Sequence, residues 1–549
     1  MENSRKLIPL FLGIAVALGM FIGSKLNFSD PNAKLFSTNE KKEKLNRLID
    51  YIDYEYVDEV NTDSIVEVTV NRILENLDPH STYISPEDLA QVTQNMKGDF
   101  IGVGISYQLF NDTIAVISTI KGGPSDIAGI KPGDRLLLAD NDTLFGANLE
   151  EQNLGEKLKG ELNSRVRLTV FRKGEGEKSF VVKRGRVPLE SVDAAYIVSD
   201  SLDLGYIKIN RFAETTYKEF KEALNTLQSK GMKTLVLDLR DNGGGFISPA
   251  LKIADEFLGD DQLIMFTKNK KGKIDRNFAT RTGSFEKGDL YVLINENSAS
   301  ASEIVAGAVQ DNDRGTIVGR RSYGKGLVQR EMALGDGSAV RLTISRYYTP
   351  TGRSIQRPYG NGNEAYHNDY LERYKNGELQ NSDSIQVADS LKFKTPGGKI
   401  VYGGGGIIPD IFVGKSTSRM EETLNFMLRS GFMNRFIFEF LDEDRPYYNS
   451  LTQEEFENQI LVENETVTAF ETFAKERNID INLSGHLDKT KRYLKATIAQ
   501  QLFGNTAFER ILNNHNPMLT RVENLVKDEL YPPEEEMTET EVPANTEGL

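Results

Sequence analysis

Apolar strands that alternate with helical stretches constrain the middle of this chain more than any other feature. Between Leu204 and Val413, short runs of apolar residues alternate with longer runs of helical periodicity. The clearest strand runs are Thr234–Leu239, Leu290–Ile294 and Thr316–Val318, and the clearest helical runs are Tyr217–Lys230 and Ala301–Gln310. Strands without polar alternation are typical of a buried sheet that helices cover. The pattern therefore predicts an α/β layer structure.

Length and composition exclude several classes of protein. A chain of 549 residues exceeds one hydrophobic core, so roughly three or four folding units are expected. Hydrophobic residues make up 39% and charged residues 27%, which is typical of a globular protein. The formal net charge of -15 argues against nucleic acid as a partner. The absence of cysteine excludes disulfides, thiolate zinc sites, a cysteine nucleophile and lipid attachment through cysteine.

The N-terminal segment has the pattern of an export signal. Arg5 and Lys6 precede an apolar run from Leu7 to Ile22. We expect residues 1–27 to be a signal peptide or a membrane anchor, and the lack of a clear cleavage site favours the anchor. A buried core helix is the alternative. The positive charge before the run should place everything after it outside the cytoplasm.

Changes in periodicity divide the rest of the chain into segments. The expected segments are a helical cap (38–97), a β-rich module (98–186), an α/β core (187–417), a helical C-terminal region (418–530) and an acidic disordered tail (531–549). Within the core, residues 359–399 are polar and lack periodicity. We therefore expect a partly mobile insertion at the surface there.

A turn of small residues follows a buried strand and opens a helix at Ser300. At a helix N-terminus, unpaired N–H groups and the positive end of the helix dipole can stabilise a developing oxyanion. The same residues permit a purely structural interpretation, because Ser300 and Glu303 match a capping box that needs no catalysis.

Lys325 lies between two glycines, which is an unusual place for a solvated charge. A serine nucleophile needs a base, and no histidine follows a core strand; the four are His80, His367, His486 and His515. A desolvated lysine can be the base, because burial brings the pKa of its amine toward the working pH. Gln329, four residues later, can accept a hydrogen bond from this lysine and orient it.

Three glycines end the strand that begins near Thr234. A turn at Gly243–Gly245 lets backbone N–H groups approach a substrate carbonyl closely, although a plain turn is the alternative. The pattern matches neither a dinucleotide-binding loop nor a P-loop.

Four motifs occur in a specific order: Asp238-Leu-Arg…Asn242-x-Gly-Gly, Ser298-Ala-Ser-Ala-Ser-Glu303, Tyr323-Gly-Lys-Gly-x-x-x-Gln329 and Thr349-Pro-x-Gly-Arg-Ser-Ile-Gln356. With these motifs the chain resembles the C-terminal processing peptidases, also called tail-specific proteases, over roughly Glu40–Val413. The resemblance implies a multidomain α/β protein with a crotonase/ClpP-like ββα spiral core and an inserted or preceding PDZ domain.

The resemblance also assigns roles to individual residues. It implies Ser300 as the nucleophile and Lys325 as the general base, and the family's spacing between them selects Ser300 over Ser298 and Ser302. Gln329 would orient the lysine.

Further roles follow from the same resemblance. Asp311 at the helix end would be a supporting catalytic residue, although a solvated aspartate is the alternative. Ala301 would donate its N–H to the oxyanion, together with Gly244 or, as second choice, Gly243.

The β-rich module resembles a PDZ domain. Its carboxylate-binding loop would consist of Ile101, Gly102, Val103, Gly104 and Ile105. Such a loop can capture the C-terminal carboxylate of a peptide that adds to the sheet edge as an extra strand. The alternatives are glycines that only shape a hairpin and a groove that is occluded.

A few features depart from the family pattern. His80 stands where the family often has an aromatic residue, and Tyr323 replaces a common phenylalanine. The insertion at 359–399 separates two segments that are closer in shorter relatives, so substrate access can differ locally. The helices after Ser418 lie outside the resemblance.

Together these features predict a serine endopeptidase of the bacterial cell envelope, on the periplasmic side, secreted or anchored by a single N-terminal transmembrane segment. The expected partners are protein or peptide substrates bound by their C-terminal segments, the inner membrane if residues 1–27 are retained, and a second copy if the protein forms a homo-oligomer. No metal or organic cofactor is implied. A catalytically silent PDZ scaffold and a structural envelope protein are the alternatives.

Overall fold

A computed structural model of the protein describes residues 40–110, 112–146, 151–416 and 418–530. The predicted export signal or anchor at 1–27 and the predicted tail at 531–549 lie outside these residues. Within the described ranges, no helix combines the length and the apolar character that a membrane span requires. The chain divides into two compact units, Met1–Asn76 and Leu77–Leu549.

The described part of the first unit consists of two helices, α1 (Glu40–Glu55) and α2 (Thr62–Glu75). Asn61 begins α2, because its side-chain oxygen accepts a hydrogen bond from the backbone N–H of Ser64 at 3.1 Å. This bond satisfies one of the amides that a helix start leaves unpaired.

Residues 77–97 were predicted as part of a helical cap, but they belong to the second unit. The buried Asp78 side chain closes a turn there, because Oδ1 accepts hydrogen bonds from the N–H groups of His80 and Ser81, both at 2.9 Å. Strand β1 (Thr82–Ile84) and helix α3 (Pro86–Lys97) follow the turn. β1 pairs antiparallel with residues 339–341, so this segment is joined to a core sheet.

The β-rich module contains a six-stranded sheet and a separate antiparallel strand pair. Its elements are β2 (Asp99–Gly102), β3 (Ile105–Phe110), β4 (Thr113–Thr119), α4 (Pro124–Ala128), β5 (Arg135–Ala139), β6 (Asp142–Thr143), α5 (Glu151–Leu158), β7 (Arg165–Arg172), β8 (Gly176–Lys183) and β9 (Gly185–Pro188). The sheet order is β3-β4-β5-β7-β8 with β6 beside β5, and β2 pairs with β9. Strand β3 therefore lies at an edge. Alternate residues of β7 are buried in the module's core, as the two-residue period of a strand requires: Val166, Leu168 and Val170.

The α/β core contains two sheets. Its strands are β10 (Val192–Ser199), β11 (Leu204–Ile209), β12 (Thr234–Asp238), β13 (Leu263–Asn269), β14 (Ile274–Phe278), β15 (Asp289–Ile294), β16 (Thr316–Gly319), β17 (Leu327–Ala333), β18 (Ala339–Tyr348), β19 (Lys392–Lys394), β20 (Ile400–Tyr402) and β21 (Ile411–Phe412). Its helices are α6 (Thr216–Ser229), α7 (Ile247–Asp255), α8 (Ala301–Asp311), α9 (Asn363–His367) and α10 (Asp369–Lys375). The larger sheet has the order β10-β11-β12-β15-β16-β21, and all its neighbouring strands are parallel except β10 and β11.

The central strands are apolar on both faces because both faces of the larger sheet are covered. Leu235 and Leu237 of β12 pack among residues of α6, α7 and α8. Val236, which points the other way, packs against Met518 and Val522 near the C-terminus. This arrangement confirms the predicted α/β class with a buried sheet.

The smaller core sheet has the order β1-β18-β13-β14, with β17 paired to β18. Strands β17 and β18 pair antiparallel from Leu327 with Arg346 to Ala333 with Ala339. This hairpin follows directly after Lys325, so it supports the loop that carries the lysine.

Most residues of the polar segment at 359–399 are exposed, as its composition predicted, but the segment is more than a surface loop. It contains α9, α10 and β19, which pairs with β20 just after the segment, and five of its side chains are at most 4% exposed: Tyr366, Arg373, Glu378, Leu379 and Thr395. Charged residues gave no sign of burial in the sequence because their burial depends on partners far along the chain. Glu378 accepts two hydrogen bonds of 2.6 Å from Arg321, which explains how it is buried.

The C-terminal helices pack around a common apolar core that includes Met433, Phe456 and Phe470. They are α11 (Arg419–Arg429), α12 (Phe432–Glu443), α13 (Arg445–Ser450), α14 (Gln453–Gln459), α15 (Asn464–Glu476), α16 (Leu487–Phe503) and α17 (Asn505–Asn513), followed by α18 (Pro517–Leu530), which covers the larger sheet.

These helices contact both the β-rich module and the core. Asp442 of α12 accepts a 2.7 Å hydrogen bond from Nη2 of Arg135 in the module. Glu509 of α17 lies 2.5 Å from Nζ of Lys208 at the end of β11. The C-terminal helices therefore connect the module to the core.

We expect Asp442→Ala to weaken the interface between the module and the helices. Its carboxylate accepts from Arg135 at 2.7 Å and from Nε of Arg445 at 2.9 Å, and both guanidinium groups are largely buried. Losing a charged acceptor should lower the free energy of unfolding by about 1–3 kcal/mol, measured by urea denaturation. Glu175→Ala, which removes the exposed partner of Lys178, is the control and should change little. Equal effects of the two changes would contradict this interpretation.

Candidate active site

The serine-rich turn before α8 places its hydroxyl groups in different surroundings. Ser298 is fully buried, and its hydroxyl donates to the carbonyl oxygen of Leu239 at 2.7 Å. Ser302 is equally buried and donates to the carbonyl oxygen of Asn242 at 2.9 Å. Ser300 is partly exposed at the start of α8. Only Ser300 of these three is therefore placed to meet an approaching molecule.

The backbone at Ser300 adopts a conformation that non-glycine residues rarely take. Its φ is 55° and its ψ is -110°, which stores strain in the turn between β15 and α8. The phenol of the buried Tyr347 donates to the Ser300 carbonyl oxygen at 3.1 Å. Such strain persists only where surrounding contacts hold the backbone, and it is common at active sites.

The glycine turn at Gly243–Gly245 lies against the serine turn. A Cβ atom on Gly244 would come within 2.7 Å of the Cβ of Ser300 and 3.0 Å of the backbone nitrogen of Ala301. Gly244 also has a φ of +99°, which favours glycine. The N–H of Ala299 donates to the carbonyl oxygen of Asn242 at 3.0 Å, and this bond joins the two turns.

Two backbone N–H groups beside Ser300, those of Ala301 and Gly243, have no acceptor within the described part of the chain. Ala301 is the first residue of α8, so the helix offers its N–H no partner. The N–H of Gly244, the first predicted choice, instead donates to Oδ1 of Asn242 at 2.9 Å. Gly243 is exposed with open space beside its Cα. The preference for Gly244 over Gly243 stays a prediction, but in this structure the Gly243 amide is open and the Asn242 side chain occupies the Gly244 amide.

The Lys325 amine is oriented by a glutamine. Nζ donates to Oε1 of Gln329 at 2.9 Å, and Nε2 of Gln329 donates to the carbonyl oxygen of His80 at 2.5 Å. Burial lowers the pKa of Lys325 from its ordinary 10.5, and the neighbouring Arg341 lowers it further. The carboxylates of Glu303 and Asp78 oppose part of this shift. The neutral amine is therefore favoured relative to a solvated lysine.

Glu303 has a larger part than the capping role that the sequence indicated. Its carboxylate is completely buried and accepts hydrogen bonds from four groups: Ser300 N–H at 2.8 Å, Lys325 N–H at 2.9 Å, Gly324 N–H at 2.7 Å and the Ser322 hydroxyl at 2.5 Å. Burial raises the pKa of Glu303, and these donors oppose the rise. The signal in the sequence was an acid near the start of a mainly apolar helix, followed later by a glycine-rich loop whose amides need acceptors.

Asp311 is the predicted site residue that the structure does not bring to Ser300. It lies at the opposite end of α8, about 16 Å away at 1.5 Å per residue. Asp311 and Arg353 are both fully buried and 2.6 Å apart, and the Thr351 hydroxyl donates to Asp311 at 2.6 Å. Its supporting role in catalysis stays a prediction, and what the structure shows is a carboxylate that neutralises a buried guanidinium.

His80 lies beside the lysine, although its position in the sequence did not indicate this. Its Nε2 lies 2.8 Å from the phenol oxygen of Tyr366. Burial and then the Lys325 cation lower the pKa of His80 to about 4, so its ring is neutral at neutral pH. The long separation between Tyr366 and His80 in the chain concealed this contact.

The predicted peptide-binding loop lies in the module, in a hydrophobic core separate from that of α8. Ile101 and Gly102 end β2, and Ile105 begins the edge strand β3. The carbonyl oxygen of Val103 accepts from Ser125 N–H at 3.0 Å, and that of Gly104 accepts from Ile120 N–H at 3.1 Å. These bonds fix the loop at the entry to β3. Among the described residues, no cluster of three or more acidic or histidine side chains could hold a metal ion.

Comparison with known proteins places the chain among proteases. Residues 203–361 match the profile described as peptidase family S41, and residues 423–504 match a family of unknown function. The chain is 34% identical over 348 residues to the carboxy-terminal-processing protease of Bartonella bacilliformis, covering 62% of this chain and 78% of that protein. It is 32% identical over 346 residues to the carboxy-terminal processing protease CtpA of Bacillus subtilis, covering 63% and 72%. Among solved structures, the photosystem II D1 C-terminal processing protease is 25% identical with a TM-score of 0.36, covering 68% and 86%.

We expect Gly244→Ala to reduce peptidase activity by about 100-fold or more, because the new methyl group would displace Ser300 and Ala301. The measurement is kcat/KM on an unfolded reporter protein. Gly272→Ala is the matched control, since Gly272 also has a positive φ of +79° but open space around it. The control separates the cost of the backbone conformation from that of the clash. Equal losses in the two variants would contradict a close approach of Gly244 to Ser300.

Proposed function

Because this chain belongs to the carboxy-terminal processing proteases of peptidase family S41, it is a serine-type endopeptidase, and we propose that Ser300 is its nucleophile and Lys325 its general base. One observation carries the proposal. The backbone N–H groups of Ser300 and Lys325 donate to the same Glu303 oxygen, at 2.8 and 2.9 Å. This shared acceptor holds the partly exposed serine beside a lysine whose pKa is lowered by burial.

The proposed reaction begins with the neutral amine of Lys325. One N–H of the amine donates to Gln329, which leaves the nitrogen lone pair free to accept a proton. Lys325 takes the Ser300 hydroxyl proton as Oγ attacks the scissile carbonyl carbon. The oxyanion of the tetrahedral intermediate accepts hydrogen bonds from the N–H groups of Ala301 and Gly243.

Collapse of this intermediate breaks the peptide bond. The leaving amine takes the proton from Lys325, and an acyl-enzyme ester remains on Ser300. A water molecule then attacks the ester while Lys325 accepts one of its protons. Release of the carboxylate product returns the proton to Ser300, so the cycle requires no cofactor.

We also propose that the β-rich module acts as a PDZ domain. The backbone of an edge strand can pair with an added peptide, and β3 is such an edge. The five residues Ile101–Ile105 would bind the C-terminal carboxylate at the entry to this strand. Unstructured or tail segments of proteins are then the substrates.

The finer architecture and the location belong to the same proposal. The core at 187–417 would be a crotonase/ClpP-like ββα spiral, with the PDZ domain at 98–186 and the helical region at 418–530. Residues 1–27 would export the chain to the periplasmic side of the bacterial envelope, either cleaved or retained as an anchor. The proposal also includes self-association of the chain into a homo-oligomer.

The dyad is tested with Ser300→Ala and Lys325→Ala in the full chain. We expect kcat/KM on an unfolded reporter with an apolar C-terminal tail to fall by about a thousandfold or more in each variant. Binding of the tail should persist, because the module is unchanged. Lys230→Ala, on the exposed end of α6, is the control and should remain active. Full activity of either dyad variant would refute the assignment, and tail binding without any cleavage by the unmodified chain would favour a silent scaffold.

The pH dependence of the reaction tests the base separately. Lys325 must be neutral to accept a proton, so kcat/KM should be low at acid pH and rise as the pH passes the lowered pKa of the lysine. Lys325→Arg should be inactive over the whole range, because a guanidinium stays charged. A rate that is flat from acid to alkaline pH would exclude lysine as the base.

A further inference from the structure

A single buried arginine holds the insertion at 359–399 against the loop that carries Lys325. Arg373 of α10 is 2% exposed. Its Nη1 donates to the carbonyl oxygens of Arg321 at 3.2 Å and Ser322 at 2.9 Å, and its Nη2 donates to that of Tyr323 at 3.3 Å. Three successive carbonyl groups directly before Gly324-Lys325 therefore share one guanidinium.

This guanidinium is itself held by carboxylates. Nε of Arg373 lies 2.6 Å from Asp369 and 3.8 Å from Glu378, and Glu378 also receives both hydrogen bonds from Arg321. Buried charges need partners of opposite sign, and here each charge has one. The insertion and the lysine loop are thus joined by a closed ionic network.

A second connection runs from the insertion to the side chain of the lysine. The phenol of the buried Tyr366 lies 2.8 Å from Nε2 of His80. The carbonyl oxygen of His80 accepts from Gln329, and Gln329 accepts from Nζ of Lys325. The guanidinium of Arg357 lies 3.9 Å from the centre of the Tyr366 ring and stabilises its position.

We propose that the insertion at 359–399 positions the general base, with Arg373 holding the backbone of the lysine loop and Tyr366 holding the Gln329 acceptor through His80. This inference rests on the proposed Ser300/Lys325 dyad. Arg373 and Tyr366 are positioning residues, since neither reaches the reacting atoms. The insertion therefore has a task in catalysis beyond its effect on substrate access.

The surroundings of Lys325 indicate how a loosened insertion would change the reaction. The charged and titratable groups that face it are Glu303 of α8, Arg341 of β18, and Asp78 and His80 of the turn before β1. His80 is neutral at neutral pH, so it adds no charge beside the amine. If the insertion loosens, water reaches the amine, and the pKa of Lys325 returns toward its ordinary value. The acid limb of the rate profile then moves to higher pH.

The test compares Tyr366→Phe and Arg373→Lys with the unmodified chain. Tyr366→Phe keeps the aromatic ring but loses the hydroxyl group that contacts His80. Arg373→Lys keeps the positive charge but loses the planar guanidinium group that donates to several carbonyl oxygens. We expect kcat on the tailed reporter to fall about tenfold for the first and about tenfold to a hundredfold for the second, with KM nearly unchanged. In both variants the acid limb should move to higher pH.

The matched controls are Tyr374→Phe, an exposed tyrosine of the neighbouring helix α10, and Arg276→Lys, on the exposed strand β14. Thermal unfolding of every variant reports the folded fraction, because a purely structural loss would lower the amount of active enzyme without moving the limb. If Lys325→Ala is inactive while Tyr366→Phe and Arg373→Lys match the controls, only this inference is overturned. If Lys325→Ala retains activity, the dyad fails and the positioning role fails with it.

Discussion

The candidate active site depends on the buried carboxylate of Glu303, because this group joins the serine turn to the lysine loop. A carboxylate in a dry environment is strongly unfavourable unless its oxygens accept hydrogen bonds. Glu303 meets this condition by accepting from the serine turn on one side and from the lysine loop on the other. The two loops come from separate parts of the chain. Because both must donate to the same group, their relative position is determined by one side chain.

The two ends of α8 show two ways in which a buried acid is stabilised. At the N-terminal end, Glu303 is surrounded by N–H and O–H donors and by the positive end of the helix dipole, with no cation in hydrogen-bond contact. At the C-terminal end, Asp311 is paired with the guanidinium of Arg353, which also donates to Gln310 at 2.7 Å. A helix that carries Ser300 is therefore fixed at both ends. This rigidity is what the strained turn at Ser300 requires.

Local patterns in the sequence predicted much of the core and part of the site. The apolar strands, the helix after Ser300 and the glycine turn follow from periodicity and turn chemistry within a few residues. The predictions that differ from the structure concern residues whose surroundings are set by distant segments of the chain. Asp311 turned out to pair with Arg353, and the amide of Gly244 is occupied by Asn242. The burial of Arg373 and the contact between His80 and Tyr366 depend on an insertion whose composition resembles a surface loop.

The C-terminal helices give the module a fixed relation to the core through contacts of two kinds. On the module side, the guanidinium of Arg135 lies 4.4 Å from the ring centre of Phe438 and pairs with Asp442. On the core side, Lys208 pairs with Glu509 at the end of β11, two strands from the serine turn. Any movement of the module relative to the core would therefore have to break contacts with these helices. Residues 423–504, which match a family of unknown function, include the module-side contacts, and Glu509 just after them makes the core-side contact, so the C-terminal helices form a structural bridge between the module and the α/β core.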